Sequence, residues 1–134
     1  MLVTEIQKLA PRAAYAALSS DPAAVLIDVR DPVEFSFVGH PPGALNIPLK
    51  FAPTMAVNPD FLPLVRASIP DAMTPIFLLC RGGQRSMAAA ELLLDAGYQN
   101  LTNIEEGFEG GIDDAKHRSS INGWRFHGLP WQQS

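Results

Sequence analysis

A chain of 134 residues that is 47% hydrophobic and 18% charged has the size and composition of one globular domain that buries its own core, which excludes a disordered or fibrous polymer. Its 10 lysines and arginines against 14 acidic residues leave a net charge of −4, which disfavours nucleic acid or an anionic membrane as the partner. A single cysteine excludes an internal disulfide and a multi-thiolate zinc site.

The opening stretch MLVTEIQKLAPRAAYAALSS has no basic segment followed by an unbroken apolar run, so no secretion signal is read there. No stretch approaches the length of a membrane span. A soluble cytoplasmic protein is expected, and the Asn100-Leu101-Thr102 sequon is then read as chance. Thr4 to Ser20 carries an amphipathic pattern and predicts a helix, with Pro11 as the alternative start of a second one. Residues 24–29, AVLIDV, are a short apolar run rich in β-branched residues and read as a buried strand. DPVEFSFVG then gives an Asp-Pro start and a short helix ending near Gly39. HPPGALNIPL is turn chemistry leading into a brief strand around Leu45 to Ile47.

Residues 50–60 carry two prolines and read as a loop. DFLPLVRASI predicts a helix with Pro63 in its first turn. PIFLLC is a second buried strand, followed by a helix from about Ser86 to Ala96. Within it Ala89, Leu92, Leu93 and Ala96 fall on one face, and Gly97 is the stop. NLTNIEEG predicts one more short strand. The glycines of GFEGG, residues 107–111, match no nucleotide fingerprint and read as a flexible turn. The tail NGWRFHGLPW predicts a turn or short helix whose Trp124 and Trp131 anchor it to the body. Strands alternating with helices over residues 1–134 predict one α/β domain, a parallel sheet covered on both faces. Ligands of such sheets bind beyond the carboxyl ends of the strands. Both Cys80 and the Asp28–Asp31 stretch end a strand.

The loop CRGGQRS, residues 80–86, concentrates the chemistry. Gly82 and Gly83 let the backbone take positive φ and turn N–H groups inward. Those groups, with the positive end of the following helix, favour an anion at their centre. Arg81 and Arg85 add permanent positive charge. Each effect favours thiolate over thiol, so a reactive Cys80 is expected rather than a buried spacer. No metal is expected, since His40, His117 and His127 lack ligand spacing.

Three segments together resemble the single-domain rhodanese family of sulfurtransferases. They are LIDVRDPVEFSFVGHPPGALNIPL with its Asp-x-Arg and Gly-His segment, the loop CRGGQRS, and NIEEGFEGG with the closing GWRFHGLPW. The resemblance implies a three-layer α/β domain with a mostly parallel central sheet flanked by helices. It implies ping-pong transfer of a sulfane sulfur: Cys80 attacks a donor such as thiosulfate, keeps one sulfur as a persulfide, and passes it to cyanide or to the thiol of a small molecule or protein. No cofactor is implied. The amides of Arg81, Gly82, Gly83, Gln84, Arg85 and Ser86 are the expected cradle, and Arg81 suits an anionic donor. Arg85 either joins the substrate site or bonds a carbonyl or carboxylate. Asp28 and Arg30 are expected as an ion pair positioning the strand end, and His40 as a histidine that ties down its turn. Thiosulfate-specialised members carry an extra arginine where Glu34 stands here.

Two other readings compete. A dual-specificity phosphatase of a related fold uses Cys-x5-Arg, whereas Cys80 to Arg85 is Cys-x4-Arg, a ring one residue shorter that suits a sulfur atom better. A rhodanese-like module that only binds a partner or carries persulfide is the other, and the presence of Cys80 argues for turnover.

Overall fold

The computed structural model describes residues 5–134. In chain order its elements are β1 (Gln7–Leu9), α1 (Pro11–Ser20), β2 (Val25–Asp28), a wide π-type turn (Glu34–Val38), β3 (Leu45–Asn46), β4 (Lys50–Phe51), β5 (Ala56–Val57), α2 (Phe61–Ser68), β6 (Ile76–Leu79), α3 (Gln84–Asp95) and β7 (Leu101–Ile104). Five strands form one sheet in the order β1-β7-β6-β2-β3, and every neighbouring pair is parallel. Among the described residues no helix is long and apolar enough to cross a membrane.

Of the three interior strands, β2 and β6 are the most apolar, with both faces covered. Side chains alternate across the sheet. Ile76 and Leu78 therefore join Ile27, Val65, Ala89, Ala90 and Leu93 on the face covered by α2 and α3. Phe77 and Leu79 join Ala14, Leu26, Ile104, Phe108 and Trp124 on the other. Cys80 continues the parity of Ile76 and Leu78 and packs in the first of these clusters. β2 pairs with β6 so that Asp28 lies opposite Leu79, which brings the Asp28 and Cys80 ends of the two strands to one edge of the sheet.

Several expectations need correction. The helix predicted over Thr4 to Ser20 is a strand and then a helix: Gln7–Leu9 pairs with β7, and Pro11 opens α1. Proline fits that first position because its missing N–H would be unpaired there anyway. Thr4 itself lies outside the described residues. The loop read over residues 50–60 contains a small antiparallel hairpin, β4 with β5. α3 begins at Gln84, so only three residues separate β6 from it after Cys80. Its buried side is Ser86, Ala89, Ala90 and Leu93, the i, i+3, i+4, i+7 series, and Leu92 is exposed. Gly97 ends the helix at φ 103°, as the pattern predicted. The tail forms turns; Trp124 is buried and Trp131 is half-exposed.

Candidate functional site

Cys80 stands at the end of β6 with its sulfur beneath an open cavity of about 650 Å³. Two donors meet the sulfur: the Gly83 N–H at 3.0 Å and the Ser86 hydroxyl at 3.3 Å. The three-residue connection can turn this sharply because Gly83 takes φ 106°, a left-handed conformation that glycine adopts without a Cβ penalty. Gly82 does not share that conformation, so one glycine rather than two makes the turn. Gly83 is the residue preceding α3, and no side chain caps it. The first turn of the helix therefore presents its N-terminal dipole toward the sulfur. The Gly83 carbonyl accepts a hydrogen bond from Asn103 of β7 at 3.2 Å, which ties down, from the next peptide, the residue whose N–H faces Cys80.

The glycine-rich turn after β7 is not a flexible spacer. The N–H groups of Phe108 and Glu109 donate to the carbonyls of Cys80 and Arg81 at 2.8 and 3.0 Å. A Cβ on Gly107 would lie 2.4 Å from the Arg81 oxygen. Residue 107 has to be glycine for two backbones to approach this closely, and the contact buttresses the cysteine loop from behind.

Of the predicted cradle residues, Arg81, Gly82, Gln84 and Arg85 line the cavity with Cys80, while Ser86 is buried beneath it and Gly83 closes the turn. Arg85 is turned sideways. Its Nη1 and Nη2 donate to Glu34 Oε1 and Oε2 at 2.7 and 2.9 Å, in a bidentate pair. The Glu34 hydrogen bond raises the Arg85 pKa against the cost of burial, aided by the charges of Glu34, Cys80 and Asp28. Burial pushes the Glu34 carboxyl up, yet the hydrogen bond and charge of Arg85, the Asp31 N–H and the charge of Arg30 outweigh it and hold the group below its ordinary value. Of the two roles open to Arg85, the carboxylate partner is the one the structure contains.

Asp28 and Arg30 form a fully buried ion pair at 2.7 Å, and the same Arg30 nitrogen donates to the Gly39 carbonyl at 2.6 Å. The Arg30 guanidinium also lies over the Phe108 ring, 4.6 Å from its centre. Strand end, Gly-His segment and C-terminal turn are thus locked together behind Cys80. His40 stacks on Phe35 at 3.7 Å and donates from Nδ1 to the Phe35 carbonyl at 2.8 Å. Both contacts tie down the turn.

Five further residues, from three regions of the chain, line the cavity without a local signal in the sequence. Glu34 has its partner 51 residues away, beyond any local pattern. Met55 and Ala52 come from the hairpin, where the sequence predicts a loop, and Arg118 and Ile112 from a segment with no periodic signal. Asp31 does more than close the strand-end stretch. It holds the hairpin in place by accepting the Ala52 N–H at 3.0 Å.

A model of the rhodanese-like domain matches residues 11–114. An uncharacterised protein of Rickettsia rickettsii is 36% identical over 128 residues, covering 95% of this chain and 98% of that relative. The thiosulfate:glutathione sulfurtransferase of Saccharomyces cerevisiae is 32% identical over 110 residues, covering 81% of this chain and 69% of that protein. A crystal structure from M. tuberculosis superposes with a TM-score of 0.87 at 37% identity, covering 96% of this chain and 98% of that one.

Proposed function

The chain belongs to the rhodanese-like domain family, and from that premise we propose that it is a sulfurtransferase with Cys80 as its nucleophile. The Cys80 thiolate attacks the outer sulfur of thiosulfate, a Cys80 S–S bond forms, and the S–S bond of the donor breaks to release sulfite. An acceptor thiolate, or cyanide, then attacks the outer sulfur of the Cys80 persulfide and leaves with it. The Cys80 thiolate is restored, and neither half-reaction needs an outside oxidant or reductant. This is covalent catalysis by a positioned thiolate.

One observation carries the reading: the Cys80 sulfur receives the Gly83 N–H and the Ser86 hydroxyl at the floor of an open cavity. Fixed donors around sulfur stabilise an anionic thiolate, and the persulfide made from it, without reorganising during the reaction. The cavity rim carries Arg81, suited to an anionic donor. Arg85, which a phosphatase reading would need around a phosphoryl group, is committed to Glu34.

Intact mass after incubation with thiosulfate tests the proposal. A gain of one sulfur is expected, removed by cyanide and absent in Cys80→Ser. No gain in the wild-type chain, or an undiminished gain in the variant, would overturn it. Brisk Cys80-dependent release of phosphate from an aryl phosphate would favour the phosphatase instead.

A further inference from the structure

Three arginines line the Cys80 cavity: Arg81, Arg85 and Arg118. Arg85 is held by Glu34, whereas among the described residues neither Arg81 nor Arg118 takes part in an ion pair. Arg81 belongs to the cysteine loop. Arg118 comes from a segment beyond residue 114, where the family match ends.

We infer that Arg118 is a donor-binding residue that holds the anionic, sulfonate-like end of the sulfur donor together with Arg81. The assignment rests on the sulfurtransferase reading and extends it to a residue outside the matched domain. Arg118 Nη1 donates to the Gly110 carbonyl at 2.6 Å. The same nitrogen lies 3.7 Å from where a Cβ on Gly82 would stand. The guanidinium is therefore laid against the bare backbone of the cysteine loop, one residue from Arg81. With one N–H engaged by Gly110, the rest of the planar fork has no partner among the described residues and remains to meet an anion, and its geometry suits two oxygens of a sulfonate group.

The segment that carries Arg118 is built to hold it there. The Asp113 carboxylate accepts the N–H groups of Ala115 and His117 at 2.9 and 2.8 Å, and also the Ser120 hydroxyl. The Ser119 N–H donates to the Glu109 carbonyl at 2.6 Å, next to the turn that buttresses Cys80. Lys116 and Ser119 on either side of Arg118 take left-handed conformations, φ 67° and 63°. Such tight looping has a conformational cost, here offset by the bonds to Asp113 and Glu109.

Calorimetric titration of thiosulfate into the Cys80→Ser chain measures binding without turnover. Arg118→Gln keeps an amide N–H for the Gly110 carbonyl and loses the charge, so it separates the anion contact from the loop tether. Binding about tenfold weaker in Cys80→Ser/Arg118→Gln is expected, the size of one lost charge-assisted hydrogen bond, with Arg118→Lys recovering part of it. The unfolding midpoint should stay in place. Equal affinity in the Gln variant, or no thiosulfate binding to Cys80→Ser, would overturn the assignment. Thiosulfate binding that depends on Arg118 in a chain that never gains sulfur would instead uphold this anion site and overturn the sulfurtransferase reading.

Discussion

Arg85 clasps Glu34 with both ends of its guanidinium, at 2.7 and 2.9 Å, although the two residues stand 51 positions apart. The pair joins the first turn of α3 to the π-type turn after β2, and its side chains are 14% and 20% exposed. It forms one wall of the Cys80 cavity. A cation that could otherwise face an anionic ligand is thereby neutralised, which leaves Arg81 and Arg118 as the charges at the rim.

That pairing sets a pH dependence with a definite sign. Glu34 has a folded pKa below its ordinary value of 4.5, so the unfolded chain takes up the proton first as the solution is acidified. The stabilisation is complete above the unfolded value and is lost as pH falls through the folded one. Glu34→Gln should lower stability by about 1 kcal/mol near neutral pH, a modest figure because solvent still reaches the pair. Urea unfolding should show the gap between wild type and variant constant from about pH 6 to 8 and closing below about pH 4.5. A gap that widens with acid would contradict the assignment.

Ser86 is fully buried, and its hydroxyl donates to Cys80 Sγ at 3.3 Å. Ser86→Ala removes that donor and leaves the volume nearly unchanged. Formation of the Cys80 persulfide should slow about tenfold or more, the effect of losing one hydrogen bond to an anion. Stability should shift by less than about 1 kcal/mol. Stopped-flow measurement of sulfite release reads the first quantity and thermal unfolding the second. An unchanged rate would mean that the Gly83 N–H suffices to hold the thiolate.

Much of this arrangement is legible in the sequence, for identifiable reasons. Central parallel strands are covered on both faces, so β2 and β6 stand out as unbroken apolar runs and place Cys80 at a strand end. The series Ser86, Ala89, Ala90, Leu93 follows the helical period, although apolar Leu92, which the pattern assigns to the same face, is exposed. β1 is not legible because Gln7–Leu9 is an edge strand of three residues, largely exposed, that carries no alternation. The hairpin escapes for the same reason, with two residues in each strand. Partners distant in sequence, such as Glu34 with Arg85, leave no local pattern at all. Glycines are ambiguous in another way: GFEGG reads as freedom, yet Gly107 is there for closeness.

Gly107→Ala tests that closeness. The new Cβ would lie 2.4 and 2.6 Å from the carbonyl oxygens of Arg81 and Cys80, both backbone atoms that cannot rotate away. Added to the strain of φ 69°, the clash should cost about 2 kcal/mol or more and displace the cysteine loop. Gly43→Ala is the control, since Gly43 has φ 81° but nothing within 4 Å of its would-be Cβ. It should cost only the conformational strain, about 1 kcal/mol. Equal costs for the two variants would show that the buttress contributes little.

The buried pair behind the site makes the largest predicted effect. Asp28 and Arg30 are 0% exposed, and Arg30 Nη1 has no hydrogen-bond partner among the described residues. Removing one member strands the other as an uncompensated buried charge. Asp28→Asn and Arg30→Met should therefore each cost about 3 to 5 kcal/mol. The double variant removes both charges together, so its cost should fall well below the sum of the two, a coupling that a double-mutant cycle on unfolding free energies reads directly. Simple additivity would show that the pair is not the source of the stability. Because the carboxylate and guanidinium bond each other and Gly39 rather than Cys80, the double variant, once folded, should still take up one sulfur from thiosulfate. Loss of sulfur uptake in a folded double variant would move the pair from positioning the strand end to taking part in the chemistry.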